Sequence, residues 1–155
     1  MEGRLMANPD TTAELLSALP ALAGGSVLVV GCGDGRYPRL FRRGGARRVM
    51  GVDADQALIA VAQREEERDP VGISYEVHVP ARLPVMGSFE IVVALLDTTE
   101  DFDAMVTRLS ANLVPGGVLT VRAPGDLPLV RALRDAGFHD IEEHAAFHSA
   151  RKPGG

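Results

Sequence analysis

Val27-Leu28-Val29-Val30-Gly31-Cys32-Gly33-Asp34-Gly35 runs from a fully apolar stretch into three glycines at alternate positions. Ser26 to Val30 has the β-branched, uninterrupted apolar character of a strand buried on both faces. The glycines that follow mark a place where only bare backbone fits. Gly31 permits a tight turn, and Gly33 and Gly35 let a ligand and the next helix approach without a Cβ in the way. A dinucleotide fingerprint would place its third glycine at position 36, which is Arg36, so a nicotinamide or flavin dinucleotide is disfavoured. Asp53 ends the next apolar stretch, 18 residues past Gly35, where a carboxylate can accept both hydroxyls of a ribose. The expectation is a nucleoside-binding loop between a strand and a helix.

The rest of the chain repeats that unit. Upstream, Thr11-Thr12-Ala13-Glu14 has capping-box spacing and opens a helix through Leu15, Leu16 and Leu19 that stops at Pro20. Downstream, Pro38 to Arg43 reads as a helix closed by Gly44-Gly45, Arg48 to Val52 as a second strand, and Asp55 as the cap of a helix running into the charged Arg64 to Asp69 end. Ile73 to His78 alternates as a third strand, and Phe89 to Leu96 is an apolar fourth. Phe102, Met105, Val106, Leu109 and Leu113 fall at helical spacing within Asp101 to Leu113. Pro115-Gly116-Gly117 turns the chain into a fifth strand, Val118 to Arg122, and Asp126 starts a last helix ended by Gly137. Strands alternating with helices predict an α/β, doubly wound, mostly parallel sheet of six to seven strands with helices on both faces. Residues 1–155 read as a single domain, with 1–25 as its first helix and lead-in. Ligands are expected at the carboxyl ends of the strands.

Composition narrows the function classes. The 155 residues are 46% apolar and carry a formal net charge of −5, which gives no global attraction for a phosphate backbone, so no nucleic acid partner is expected. Arg36, Arg39, Arg42, Arg43, Arg47 and Arg48 are a local exception, read as a solvated helix face. The longest apolar run, Ile91 to Leu96, is far short of a membrane span, and Met1 to Asp10 lacks the apolar core of a signal peptide; a cytoplasmic protein without membrane contact is expected. Cys32 is the one cysteine, so no internal disulfide forms, and no Cys/His group has zinc-ligand spacing, so no metal is expected.

Four blocks, VLVVGCGDG at 27–35, VMGVDAD at 49–55, ARLPVMGSFEIVVALLD at 81–97 and LVPGGVLTV at 113–121, together resemble the Rossmann-like (class I) S-adenosylmethionine-dependent methyltransferases from about Ser26 to the C-terminus. AQREEERDPVGISYEVH followed by LPVMGSFEIV is most similar to bacterial small-molecule enzymes of the toxoflavin-synthase type. The resemblance implies that Gly31, Gly33 and Gly35 face the methionine part of S-adenosylmethionine, Asp53 its ribose, and Ala54 its adenine; Cys32 and Asp34 lie in the same cofactor-binding loop, where Asp34 either approaches the cofactor or forms the turn. It also implies departures. The family's acidic residue two before the first glycine is Val29 here. Counting back from Leu83-Pro84, the acid that meets the adenine amino group falls on Val79, and the residue whose N–H meets the ring falls on Pro80, which has no N–H. Each lost charge-assisted bond is worth about 1.5–3 kcal/mol, so weakened cofactor binding is expected.

Only Ala123-Pro124-Gly125 separates the fifth strand from the last helix, and a shortened hairpin closes the chain, so the site should be shallow. A large or carrier-bound substrate that supplies its own cover, a second subunit (a homodimer copy or a partner) that completes the pocket, or a site that has lost its chemistry would each account for that. Methyl transfer is an in-line displacement that needs alignment and at most one base. Asp97, at the end of the fourth strand, is the base candidate; the alternative is that Asp97-Thr98-Thr99 caps the next helix or turn. His78 reads as a solvent-facing strand end, and His139, His144 and His148 do not share a helical face. Cys32 reads as a small side chain that fits the loop and lacks a histidine partner. Two functions follow: methyl transfer from S-adenosylmethionine to a nitrogen, oxygen or carbon of a small metabolite, or a methyltransferase-like protein without transfer, as a cofactor-free partner subunit or a repurposed cyclase-type pocket. An arginine-based reading of RNA methylation lacks an Asn/Asp-Pro-Pro-Tyr-like motif, since the fourth strand ends in Leu95-Leu96-Asp97-Thr98.

Overall fold

The computed structural model describes residues 9–97, 101–123, 127–144 and 147–154. In chain order the elements are α1 (Pro9–Ala18), β1 (Ser26–Val30), α2 (Arg36–Arg43), β2 (Arg48–Asp53), α3 (Gln56–Arg68), β3 (Ile73–Val77), a single 3-10 turn (Pro80–Arg82), β4 (Phe89–Leu95), α4 (Phe102–Ala111), β5 (Leu113–Arg122), α5 (Leu127–Asp135), β6 (His139–His144) and β7 (Phe147–Arg151). They form a seven-stranded sheet in the order β3-β2-β1-β4-β5-β7-β6. The first five strands are parallel, and β7 lies antiparallel between β5 and β6. The doubly wound α/β fold expected from the sequence is the one observed, and both strands of the closing hairpin form.

Each apolar run is buried on both sides because helices cover both faces. Leu28, Val30, Val92, Ala94, Leu119 and Val121 pack with Met105, Leu109 and Leu133 on one face. Val27, Val29, Val49, Val93 and Phe147 pack with Leu15, Phe41 and Ile59 on the other. Val29 is fully buried, so the position where the resemblance expects a carboxylate is occupied by core. The strand order switches direction between β1 and β4, and in such sheets ligands bind at the carboxyl ends of the strands at that switch point.

Several boundaries differ from the expectation, each for a local reason. α1 begins at Pro9, ahead of Thr11, and α2 begins at Arg36, ahead of Pro38. A proline in the first turn sacrifices an N–H that has no intrahelical partner there, so Pro9 and Pro38 both fit inside their helices. α4 stops at Ala111 and Leu113 belongs to β5, which already pairs with Phe89 before Pro115-Gly116-Gly117. Those residues are a distortion within the strand, with Gly116 at φ +79° and a register shift opposite Phe89 and Ile91, rather than a turn that precedes it. Asp126 lies outside the described residues. Asp55 caps α3, accepting from Ala57 N at 2.9 Å and Leu58 N at 3.2 Å. No described helix is long and apolar enough to cross a membrane.

Candidate functional site

The three loop glycines do three different jobs. Gly31, at φ +82°, lies so close to β4 that a Cβ would fall on the carbonyl oxygen of Leu95. Its N–H and that of Cys32 both donate to Val52 O, at 2.8 and 3.0 Å, which ties the start of the loop to β2. Gly35, at φ +92°, sits over Tyr75, whose hydroxyl oxygen is 2.6 Å from where a Cβ would be. Gly33, at φ +58°, is the exception: nothing lies within 4 Å of its Cβ direction. Two glycines are therefore required by the protein's own packing, and the third opens onto free space.

Asp53 ends β2 beside that space. Its Oδ2 accepts from Gly33 N at 2.8 Å and its Oδ1 from Asp55 N at 2.8 Å. Each carboxylate oxygen keeps a further lone pair, so both can also accept a hydroxyl from a ligand. Asp53 thus pins the open glycine while facing the crevice. Ala54 is exposed next to it. His78 N donates to Asp53 O at 3.0 Å, which brings the segment after β3 alongside Asp53; Val79 follows at 48% exposure, and Pro80 starts the 3-10 turn. Asp34 lies half-buried in the loop, its carbonyl accepting from Arg39 Nη1 at 3.3 Å.

The loop rests on a floor that the sequence reading passed over. Tyr75 of β3 reaches beneath it across Gly51, where a Cβ would come within 2.9 Å of both the Tyr75 ring and Cys32 Sγ. An isolated glycine within a strand is a sign of close approach, so Gly51 carried a signal; Tyr75 carried none. Burial pushes the Tyr75 hydroxyl up to about 12. Cys32 is buried, and desolvation, with the Asp53 charge adding to it, pushes its thiol up to about 12 as well. We expect Cys32 to be inert to iodoacetamide at pH 8 in the folded protein and to alkylate only after denaturation; rapid labelling of the native state, followed by mass, would contradict this placement.

Asp97 is exposed just beyond β4. It is not the cap of α4, because Asp101 holds that position, without a side-chain cap bond; Thr98 and Thr99 lie outside the described residues. His78 is paired with Glu76 at 2.9 Å, His139 with Asp140 at 3.2 Å, and His148 lies 3.8 Å from Glu143. The side chain of His144 lies outside the description. No group of three or more His, Cys, Asp or Glu among the described residues could hold a metal ion. The arginine cluster is largely used at home: Arg42 donates to Ala46 O, Arg47 to Gly24 O, Arg43 pairs with Asp69, and Arg48 stacks on Phe89.

A family model for a methyltransferase domain matches residues 27–117, more than half of the chain. The chain is similar to a ribosomal protein L11 methyltransferase of Xanthomonas campestris pv. campestris, 38% identical over 115 residues that cover 70% of this chain and 37% of the relative. It is also similar to a ubiquinone biosynthesis O-methyltransferase of Bradyrhizobium sp., 33% identical over 106 residues that cover 67% of this chain and 42% of the relative. The chain thus spans well under two thirds of the length of these relatives. Its fold matches the crystal structure of an S-adenosylmethionine-dependent methyltransferase from Mesorhizobium loti with a TM-score of 0.80, at 20% identity, covering 96% of this chain and 100% of that one.

Proposed function

Because this chain belongs to the methyltransferase domain family, we propose that it binds S-adenosylmethionine over its glycine loop and directs methyl transfer to a nitrogen, oxygen or carbon of a small metabolite. The observation that carries this reading is the pairing of an open Gly33 with Asp53: the glycine leaves room for a ligand, and the carboxylate beside it keeps lone pairs for ribose hydroxyls. Residues 1–155 act in this reading as one methyltransferase-like domain. S-Adenosylmethionine supplies an electrophilic methyl on a sulfonium. Gly31, Cys32, Gly33, Asp34 and Gly35 would line its amino-acid half, Asp53 its ribose, and Ala54, Val79 and Pro80 its adenine. Asp97 stands exposed at the carboxyl end of β4, where it would take the proton released by the acceptor. Alignment supplies most of the rate in such a displacement, so a site with one base suffices.

The fit is uneven along the cofactor. Its ribose and methionine ends meet a formed cradle, whereas its adenine end meets an apolar Val79 and a Pro80 with no N–H to give. We expect Val79→Asp to tighten S-adenosylhomocysteine binding about tenfold, as one charge-assisted hydrogen bond would. Val79 is half-exposed, so the new carboxylate carries little folding cost. Unchanged affinity in calorimetry would show that the adenine does not lie there.

A second reading, a methyltransferase-like protein without transfer, is favoured by the same residues: core-buried Val29, apolar Val79 and Pro80. Calorimetry of the purified protein with S-adenosylmethionine and S-adenosylhomocysteine separates the two. Micromolar binding supports the enzyme, and a product heavier by one methyl completes the case. Silence up to millimolar concentrations supports a partner subunit or a repurposed pocket. Within the enzyme reading, a toxoflavin-synthase-type small molecule is the acceptor class, free or carrier-bound, with a second subunit or the acceptor itself closing a shallow site.

A further inference from the structure

We propose that Arg122 is an anion anchor, and that the methyl acceptor carries a carboxylate or phosphate that Arg122 grips. Arg122 is the last residue of β5. It is level with Leu95 of β4, and its carbonyl accepts from Leu96 N at 2.8 Å. Leu95 in turn is the residue against which Gly31 turns. With neighbouring strands about 4.8 Å apart, the Arg122 backbone stands roughly 10 Å from Gly31, two strands along the same carboxyl edge. The inference rests on the proposed cofactor site. A nucleoside held by Asp53 on β2, with its remaining length over the β1 loop, directs its reactive end toward β4, and the acceptor then lies over β4 and β5.

The place of Arg122 at the end of β5 sets it apart, and the state of its side chain suits the role. It is half-buried, and its guanidinium lies 5.9 Å from the ring centroid of the fully buried Phe147. Some arginine heads are spent on polar partners, Arg43 on Asp69, Arg68 on Glu65 and Arg151 on Gly116 O, and Arg36 and Arg48 also lie over rings, but none of these ends β4 or β5 at the carboxyl edge. Among the described residues Arg122 has neither a carboxylate nor a carbonyl partner; its contact is the Phe147 ring. A guanidinium beside an aromatic ring gives up none of its N–H groups to that contact, and a planar anion can take up two of them in parallel bonds. Partial burial has already removed part of its water, so an incoming anion meets a partly desolvated cation. Exposed Asp97, on the adjacent strand end, would then face the opposite end of the same acceptor.

The test is calorimetry at low ionic strength on the protein saturated with S-adenosylhomocysteine, using citrate, inorganic phosphate and, as a neutral control, trimethyl citrate. Wild type should bind citrate or phosphate and not trimethyl citrate. Arg122→Gln should weaken that binding about tenfold or more, Arg122→Lys by less, and S-adenosylhomocysteine affinity should stay within about twofold in both. Citrate binding more tightly assigns a carboxylate acceptor, and phosphate binding more tightly a phosphorylated one. The proposal is overturned if wild type binds neither anion, binds trimethyl citrate equally, or if Arg122→Gln binds anions as well as wild type. A purely structural arginine would change the melting temperature without changing this selectivity. If S-adenosylhomocysteine gives no heat, the cofactor reading fails separately, and the same anion titrations on the free protein still decide the role of Arg122.

Discussion

Gly31→Ala is expected to lower the melting temperature by roughly 10 °C, the largest stability effect of any single substitution in the loop. Two costs act together. A side chain at φ +82° carries about 1–2 kcal/mol of left-handed strain. The new methyl would also fall on the Leu95 carbonyl, which belongs to the β4 backbone in the middle of the sheet. A flexible side chain could swing aside, but this oxygen can retreat only if β4 shifts against β1, and overpacking of that kind costs about 1–3 kcal/mol or more. Together these give about 2–5 kcal/mol, and each kcal/mol moves the melting point of a chain this long by about 2–4 °C. Gly33→Ala is the matched control: it has the same sign of φ, at +58°, but no neighbour within 4 Å. It should lose only about 1 kcal/mol, because strain acts there without overlap. Thermal melts followed by circular dichroism decide the matter. Equal small shifts for both variants would show that the close approach of the loop to β4 does not constrain residue 31.

The contrast between those glycines bears on what a sequence can disclose. GxGxG at 31–35, the apolar runs and the carboxylate at Asp53 are local patterns, and they were enough for the sheet, the position of its crevice and the Asp55 cap. Long-range partners were not legible. Nothing around Tyr75 announces that its ring reaches across β2 to support Gly35, because that contact exists only once β3 lies beside β2. Asn112 reads as an ordinary helix end, yet it is fully buried, accepting from Met86 N at 2.6 Å and donating to Pro84 O at 3.1 Å, so that it fixes the loop leading into β4. Pro115-Gly116-Gly117 looks like a turn by composition, yet pairing with β4 on either side, at Leu113 and Val118, keeps it as a bulge within the strand. Arg122 escaped notice for the same reason: its place beside β4, level with Leu95 and near the Phe147 ring, is a property of the surroundings and not of the residue.

Asp53→Ala should abolish most S-adenosylhomocysteine affinity, by about a hundredfold or more, while shifting the melting temperature by only a few degrees. Hydrogen bonds to a charged group are worth about 1.5–3 kcal/mol each, and two to the ribose amount to about 3–6 kcal/mol, two to four decades in affinity. The same carboxylate holds Gly33 N and Asp55 N, both at 2.8 Å, so its removal also frees the open glycine to drift from the position a ligand needs. Those two bonds lie at a half-exposed strand end, where water can replace the lost acceptor, which keeps the folding cost low. Asp53→Asn separates the two roles. Its one carbonyl oxygen can serve Gly33 or Asp55 but not both, its amide accepts from neither, and the charge is gone. Affinity should therefore fall between wild type and alanine. Calorimetry and melting curves on the same three proteins distinguish the cases: affinity falling far more than stability places the ligand on Asp53, whereas parallel losses would make Asp53 a loop brace alone. An alanine variant that binds as tightly as wild type would remove Asp53 from the site altogether.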